Sequence, residues 1–165
     1  MNTLFIGYGN PDRQDDGVAW HVLAGIANQL GIKTSSLWEE PLPSTPEADF
    51  IFQLQLTPEL AQDLTAYDRV CFVDAHTGKI PTNVQMVHVT PEYQTSPFTH
   101  HLTPEMLLSM CESLFNHKPE AILVSVRGYQ FGFETELSPF TKSLVNEAVA
   151  RTVGWLRTSA TPICV

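Results

Sequence analysis

Three short apolar runs set the strongest limit on what this chain can fold into. They are T-L-F-I (Thr3 to Ile6), R-V-C-F-V (Arg69 to Val73) and A-I-L-V-S-V (Ala121 to Val126). Each is apolar almost throughout, which is the pattern of a strand covered on both faces and not of one with a wet side. Between them the period changes. From Gly17 the pattern turns helical, with Val18, Val22, Gly25 and Ile26, then Ala27 and Leu30, recurring at three- and four-residue steps, and Gly31 follows as a stop. Thr57-Pro58-Glu59 and Thr103-Pro104-Glu105 each read as a helix entry, with Thr as cap and Pro in the first turn. The first of these helices is expected to reach about Tyr67. The second runs through Leu108 and Leu114, and a third spans Ser138 to Leu156. Further strands are expected over Lys33–Glu39, Phe50–Leu56 and Val84–Val89, with the Pro-rich stretch 41–46 as a loop. Alternating strands and helices predict an α/β fold. The expected architecture is one three-layer domain over residues 1–165, with a mostly parallel central sheet and helices on both faces.

Composition narrows the function. The 165 residues carry a net charge of −9 and a pI near 4.9. A nucleic-acid surface needs clustered Lys and Arg, and so does an anionic membrane surface; neither is expected as a partner. No apolar run approaches the roughly 18 residues of a membrane span, and the N-terminus has no signal-peptide pattern, so the expected compartment is the cytoplasm. The three cysteines, Cys71, Cys111 and Cys164, form no C-x-x-C and argue against a disulfide framework.

The first strand runs into G-Y-G-N-P-D-R-Q-D-D-G (Gly7 to Gly17). A glycine turn here suggests a phosphate loop. However, the third glycine of the dinucleotide pattern is Asp12, no Gly-Lys-Ser/Thr follows, and three aspartates would repel a phosphate. One of Asp15 and Asp16 could serve only as a helix cap. The glycines still deliver a carboxylate to the sheet edge where open α/β folds bind ligands. Asp74 ends the R-V-C-F-V strand at the same edge if the strands are parallel, and His76, two residues on, reads as a solvent-facing loop residue. In T-H-H-L-T-P-E (Thr99 to Glu105), adjacent side chains point apart, so one of His100 and His101 is expected to reach a given ion. Two carboxylates and an imidazole from three segments suit a divalent transition ion with open positions. The chain lacks H-E-x-x-H, G-x-S-x-G and a nucleophilic cysteine arrangement.

Taken in order, G-Y-G-N-P-D-R-Q-D-D-G, D-R-V-C-F-V-D-A (Asp68 to Ala75) and T-H-H-L-T-P-E resemble the motifs of the hydrogenase maturation proteases. These endopeptidases remove a C-terminal extension from the large subunit of nickel-iron hydrogenases. The resemblance implies that Asp16, Asp74 and His100 contact nickel, with His101 as the fallback. It implies that nickel arrives already inserted in the large-subunit precursor, and that no organic cofactor is used. Asp16 and Asp74 become the candidate catalytic acids, Asp15 a helix cap, and Asp12 a turn residue. Where many members carry a D-G-x-T-like stretch, this chain has L-Q-L-T-P-E-L (Leu54 to Leu60). That is similar to the form in proteases serving bidirectional, NAD-linked hydrogenases, and it makes Gln55 a candidate substrate contact. A non-catalytic nickel chaperone and a general divalent-metal hydrolase are the competing readings.

Overall fold

The computed structural model describes residues 1–34, 37–92 and 101–158. Strands β1 (Thr3–Tyr8), β2 (Asp49–Gln53), β3 (Arg69–His76), β4 (Val84–His88) and β5 (Glu120–Arg127) form one sheet in the order β2-β1-β3-β5-β4. The first four in that order run parallel, and β4 pairs antiparallel to β5 at one edge. The helices are α1 (Val18–Gln29), α2 (Leu60–Asp63, continued by a 3-10 turn over Leu64–Ala66), α3 (Pro104–Phe115) and α4 (Pro139–Thr158).

The apolar runs bury both of their faces, as their composition requires. On β1, Phe5 points into a core shared with α1 and α4, while Leu4 and Ile6 point into a second core shared with α2 and α3. On β3, Cys71 and Val73 join the first core, and Val70 and Phe72 the second. On β5, Ile122, Val124 and Val126 join the first, and Ala121 the second. This two-residue alternation is the pleat of the sheet. It makes the molecule a three-layer α/β structure, as expected. Phe5 anchors the first core, stacked on Phe50 at 5.5 Å between ring centroids and met edge-on by Trp155 at 6.3 Å.

Buried Arg69 ties the layers together. Its guanidinium lies over the Trp155 ring at 4.6 Å and donates to the Leu156 carbonyl at 3.0 Å and to Thr3 Oγ1 at 3.2 Å. A cation is thereby placed near the C-terminal end of α4, where helix carbonyls lack partners.

Two expectations fail. No described residue of Lys33–Glu39 is in a strand. Leu37 is exposed, and Trp38 instead sets its indole edge-on to Phe52 of β2. His76 is not a solvent-facing loop residue. It is buried at the end of β3, where Nδ1 accepts from the Gly78 amide at 3.2 Å and Nε2 lies 2.9 Å from the Thr82 carbonyl. An Nε2–H tautomer satisfies both bonds and turns the chain toward β4. Cys71 and Cys111 are buried free thiols; Cys164 lies outside the described residues.

Candidate active site

The connections of β1 and β3 leave the sheet on opposite faces. The chain passes from β1 through α1 to β2, and from β3 through β4 and α3 to β5. α1 packs in one core and α3 in the other, so a crevice opens between the C-terminal ends of β1 and β3. A cleft of about 270 Å³ occupies this place, lined by Tyr8, Gly9, Asp16, Leu54, Gln55, Leu56, Asp74, Ala75, His101 and Leu102. Asp16, Asp74 and Gln55, drawn from three separate motifs, therefore meet in one cavity. His101 lines it as well, while His100 lies outside the described residues. Among the described residues no three His, Cys, Asp or Glu side chains are grouped closely enough to hold a metal ion. Asp16 and Asp74 line the cleft, and His101 brings the histidine segment to the same wall.

The acidic loop explains how neighbouring aspartates reach different places. Asn10 starts it, its side chain accepting from the Asp12 amide at 3.0 Å, and Pro11 opens a 3-10 stretch over Pro11–Gly17. That stretch is broken at Arg13 and Gln14, and Gln14 holds φ 54°, a rare value for a residue with a side chain. The break is held from outside: the Gln14 amide donates to the Glu134 carbonyl at 2.8 Å, and its side-chain oxygen accepts from Gly132 at 3.2 Å. Beyond the break Asp15 turns inward and Asp16 toward the cleft. Gly9, at φ 139°, passes so close to Asp16 that a Cβ there would collide with its carbonyl oxygen. Asp16 Oδ2 accepts from the Asn10 amide at 2.8 Å.

Asp15 is not the cap of α1 that its position suggests. The N-cap of α1 is Gly17, with no side-chain bond. Asp15 is fully buried and accepts from the amides of Tyr129, Gln130 and Ser138 and from the hydroxyls of Ser138 and Thr141, all at 2.6–2.9 Å. It pins the 128–138 loop and the start of α4 to the loop that carries Asp16. Burial by itself would raise its pKa. The Ser138 hydroxyl and the three amides outweigh that and hold the carboxyl below its ordinary value.

Asp74 has a different environment. Leu4, Ile6 and Tyr8 share one face of β1, Val70, Phe72 and Asp74 the same face of β3, and Ala121, Leu123 and Ser125 that of β5. Tyr8 and Ser125 consequently flank Asp74. Tyr8 Oη donates to Asp74 Oδ2 and Ser125 Oγ to Oδ1, both at 2.9 Å. Burial drives the Asp74 pKa up to about 6; the two hydroxyls pull it down, and the charges of Glu105 and Asp16 push it up. The Tyr8 phenol is pushed well above its ordinary value by burial and by the adjacent Asp74. A carboxyl held this high in a cleft with a second acid marks a candidate functional site.

The reading of the sequence missed Tyr8 and Ser125. Ser125 carries a visible signal, as the one hydroxyl inside A-I-L-V-S-V, a run otherwise built for full burial. Tyr8 has none beyond its place between the two glycines of the turn. His101 and Leu102 reach the cleft because Thr103 caps α3, accepting from the Met106 amide at 3.2 Å and fixing where the chain enters the helix.

Among solved structures, the hydrogenase maturating endopeptidase HybD from E. coli superposes with a TM-score of 0.68 at 19% identity, covering 97% of this chain and 94% of its own. The [NiFe] hydrogenase maturation protease HybD from Thermococcus kodakarensis gives 0.65 at 15% identity, covering 94% of this chain and 99% of its own. The [NiFe] hydrogenase maturation protease HycI from Thermococcus kodakarensis KOD1 gives 0.64 at 17%, covering 95% and 93%. No protein-family model and no curated protein matches the chain. Over nearly its whole length, the chain has the fold of these hydrogenase maturation endopeptidases.

Proposed function

We propose that this chain is an endopeptidase that removes the C-terminal extension of a nickel-iron hydrogenase large-subunit precursor after nickel insertion. The observation that carries the reading is the cleft, which gathers Asp16, Asp74 and Gln55 at one sheet edge on a fold shared with maturation endopeptidases. Nickel enters as part of the substrate. Asp16, Asp74 and His100 engage it, with His101, already at the cleft wall, as the alternative imidazole. Oxygen and nitrogen donors with open positions suit a divalent ion of this class. The ion tests that the precursor is loaded, and as a Lewis acid it polarises the scissile carbonyl or activates a water. Gln55, exposed at the cleft rim, contacts the substrate. No helix among the described residues is long and apolar enough to cross a membrane, and we assign the protein to the cytoplasm.

Incubation with nickel-loaded and nickel-free precursor tests the reading. Loss of C-terminal mass from the loaded sample alone supports it. Binding without cleavage points instead to a nickel chaperone, and cleavage of unrelated peptides to a general metal hydrolase. Asp16→Asn, Asp74→Asn and His100→Ala should each abolish processing, with the far-ultraviolet circular dichroism spectrum unchanged. Full activity in the Asp74→Asn protein would falsify the site. Comparing His100→Ala with His101→Ala identifies the imidazole.

A further inference from the structure

We infer that Tyr8 and Ser125 are positioning residues that hold the Asp74 carboxylate in its working orientation. The inference rests on the proposed endopeptidase reading and goes beyond it to two residues outside the motif set. Each oxygen of Asp74 takes one hydroxyl bond, Oδ1 from Ser125 and Oδ2 from Tyr8, both at 2.9 Å. The donors stand on the two strands that flank β3. Ser125 is the direct register partner of Asp74, and Tyr8 follows Gly7, the partner of Val73. The carboxylate is therefore fixed from both sides by the sheet itself and not by a mobile loop. Two bonds on opposite oxygens fix both the side-chain torsion and the plane of the carboxyl group. Tyr8 and Asp74 both line the cleft.

Ser125 is only 2% exposed, and among the described residues its hydroxyl has no other hydrogen bond. Among the described residues Tyr8 Oη likewise bonds only Asp74. A hydroxyl placed inside an apolar strand costs free energy unless it is hydrogen-bonded, and the bond to Asp74 that offsets this cost also serves a purpose. Here the purpose is orientation: a ligand or catalytic group held within a fraction of an ångström reacts faster than one that must find its rotamer.

The test uses the full-length protein and a nickel-loaded hydrogenase large-subunit precursor, with single-turnover and steady-state cleavage read by mass. Wild-type protein must cleave; if it does not, the endopeptidase reading fails, and this inference fails with it. With wild type active, Tyr8→Phe and Ser125→Ala are each expected to lower kcat about tenfold, and the double variant about a hundredfold. KM for the precursor is expected to stay within about twofold, and each variant's melting midpoint close to wild type. Unchanged kcat in the double variant overturns the assignment. So does a rise in KM alone, which would mean that the hydroxyls touch substrate and do not act through Asp74. If Ser125→Ala proves unstable, Tyr8→Phe alone decides between these outcomes, because it removes one oxygen and leaves the ring packing in place.

Discussion

Consecutive aspartates, Asp15 and Asp16, have opposite duties, and the division is made by what surrounds each carboxylate. Asp15 accepts five hydrogen bonds at zero exposure, while Asp16 is half-buried at the cleft with one amide bond on Oδ2. Replacing Asp15 with Ala leaves the amides of Tyr129, Gln130 and Ser138 without their acceptor. Each such loss costs about 1–3 kcal/mol, so urea denaturation should show a destabilisation of at least about 3 kcal/mol. Asp74 predicts the reverse. Its pKa rises from 3.8 to about 6 on folding, so between those values the unfolded chain gives up the proton first. Asp74 therefore erodes stability as pH rises through that window, and the loss is complete above about 6. Asp74→Asn should raise the thermal midpoint at pH 7.5 and lose that advantage by pH 4. An equal gain at both pH values would mean that burial of the charge is not the cause.

At the scale of elements, α3 and its cap carry the clearest test. Thr103→Ala removes the side-chain bond to the Met106 amide and should cost about 1 kcal/mol in denaturant. Because His101 and Leu102 immediately precede the cap, the same change should also slow processing. The element pattern was legible wherever burial was two-sided. Thr3–Tyr8, Arg69–His76 and Glu120–Arg127 stand out as apolar runs because their central residues are buried in one core or the other on both faces of the sheet. An acid from the first loop and Asp74 were legible because they lie at or beyond the C-terminal ends of apolar strands; Asp16 over Asp15, and Gln55, came from the resemblance, and all three line the same cleft. The failures have local causes. Lys33–Glu39 has the composition of an edge strand, yet it packs Trp38 on Phe52. His76 looked wet because its partners, the Gly78 amide and the Thr82 carbonyl, are backbone atoms that sequence does not display. Asp15 looked like a cap for its own helix because its true partners lie more than a hundred residues away. Tyr8 and Ser125 depend on strand register, which no single segment reveals.

For the whole molecule, the two cores share one sheet, and neither can be lost without the other. Phe5 and Phe72 are both fully buried, one on each face. Phe5→Ala and Phe72→Ala should each cost about 3–5 kcal/mol. In both, Trp fluorescence and far-ultraviolet circular dichroism should fall in one coincident transition, although Trp155 reports only the Phe5 side. Separated transitions would show that the layers unfold independently. The Asp15 anchor has a further consequence, in time and not in space. Amides at Tyr129, Gln130 and Ser138 depend on a single carboxylate, so their hydrogen exchange should rise and fall together. An opening that frees them also frees the kinked turn that aims Asp16. The protection of those three amides is then a clock for how long the cleft stays assembled, and because the Asp15 carboxyl sits below its ordinary pKa, that protection should be lost only as acid reaches it.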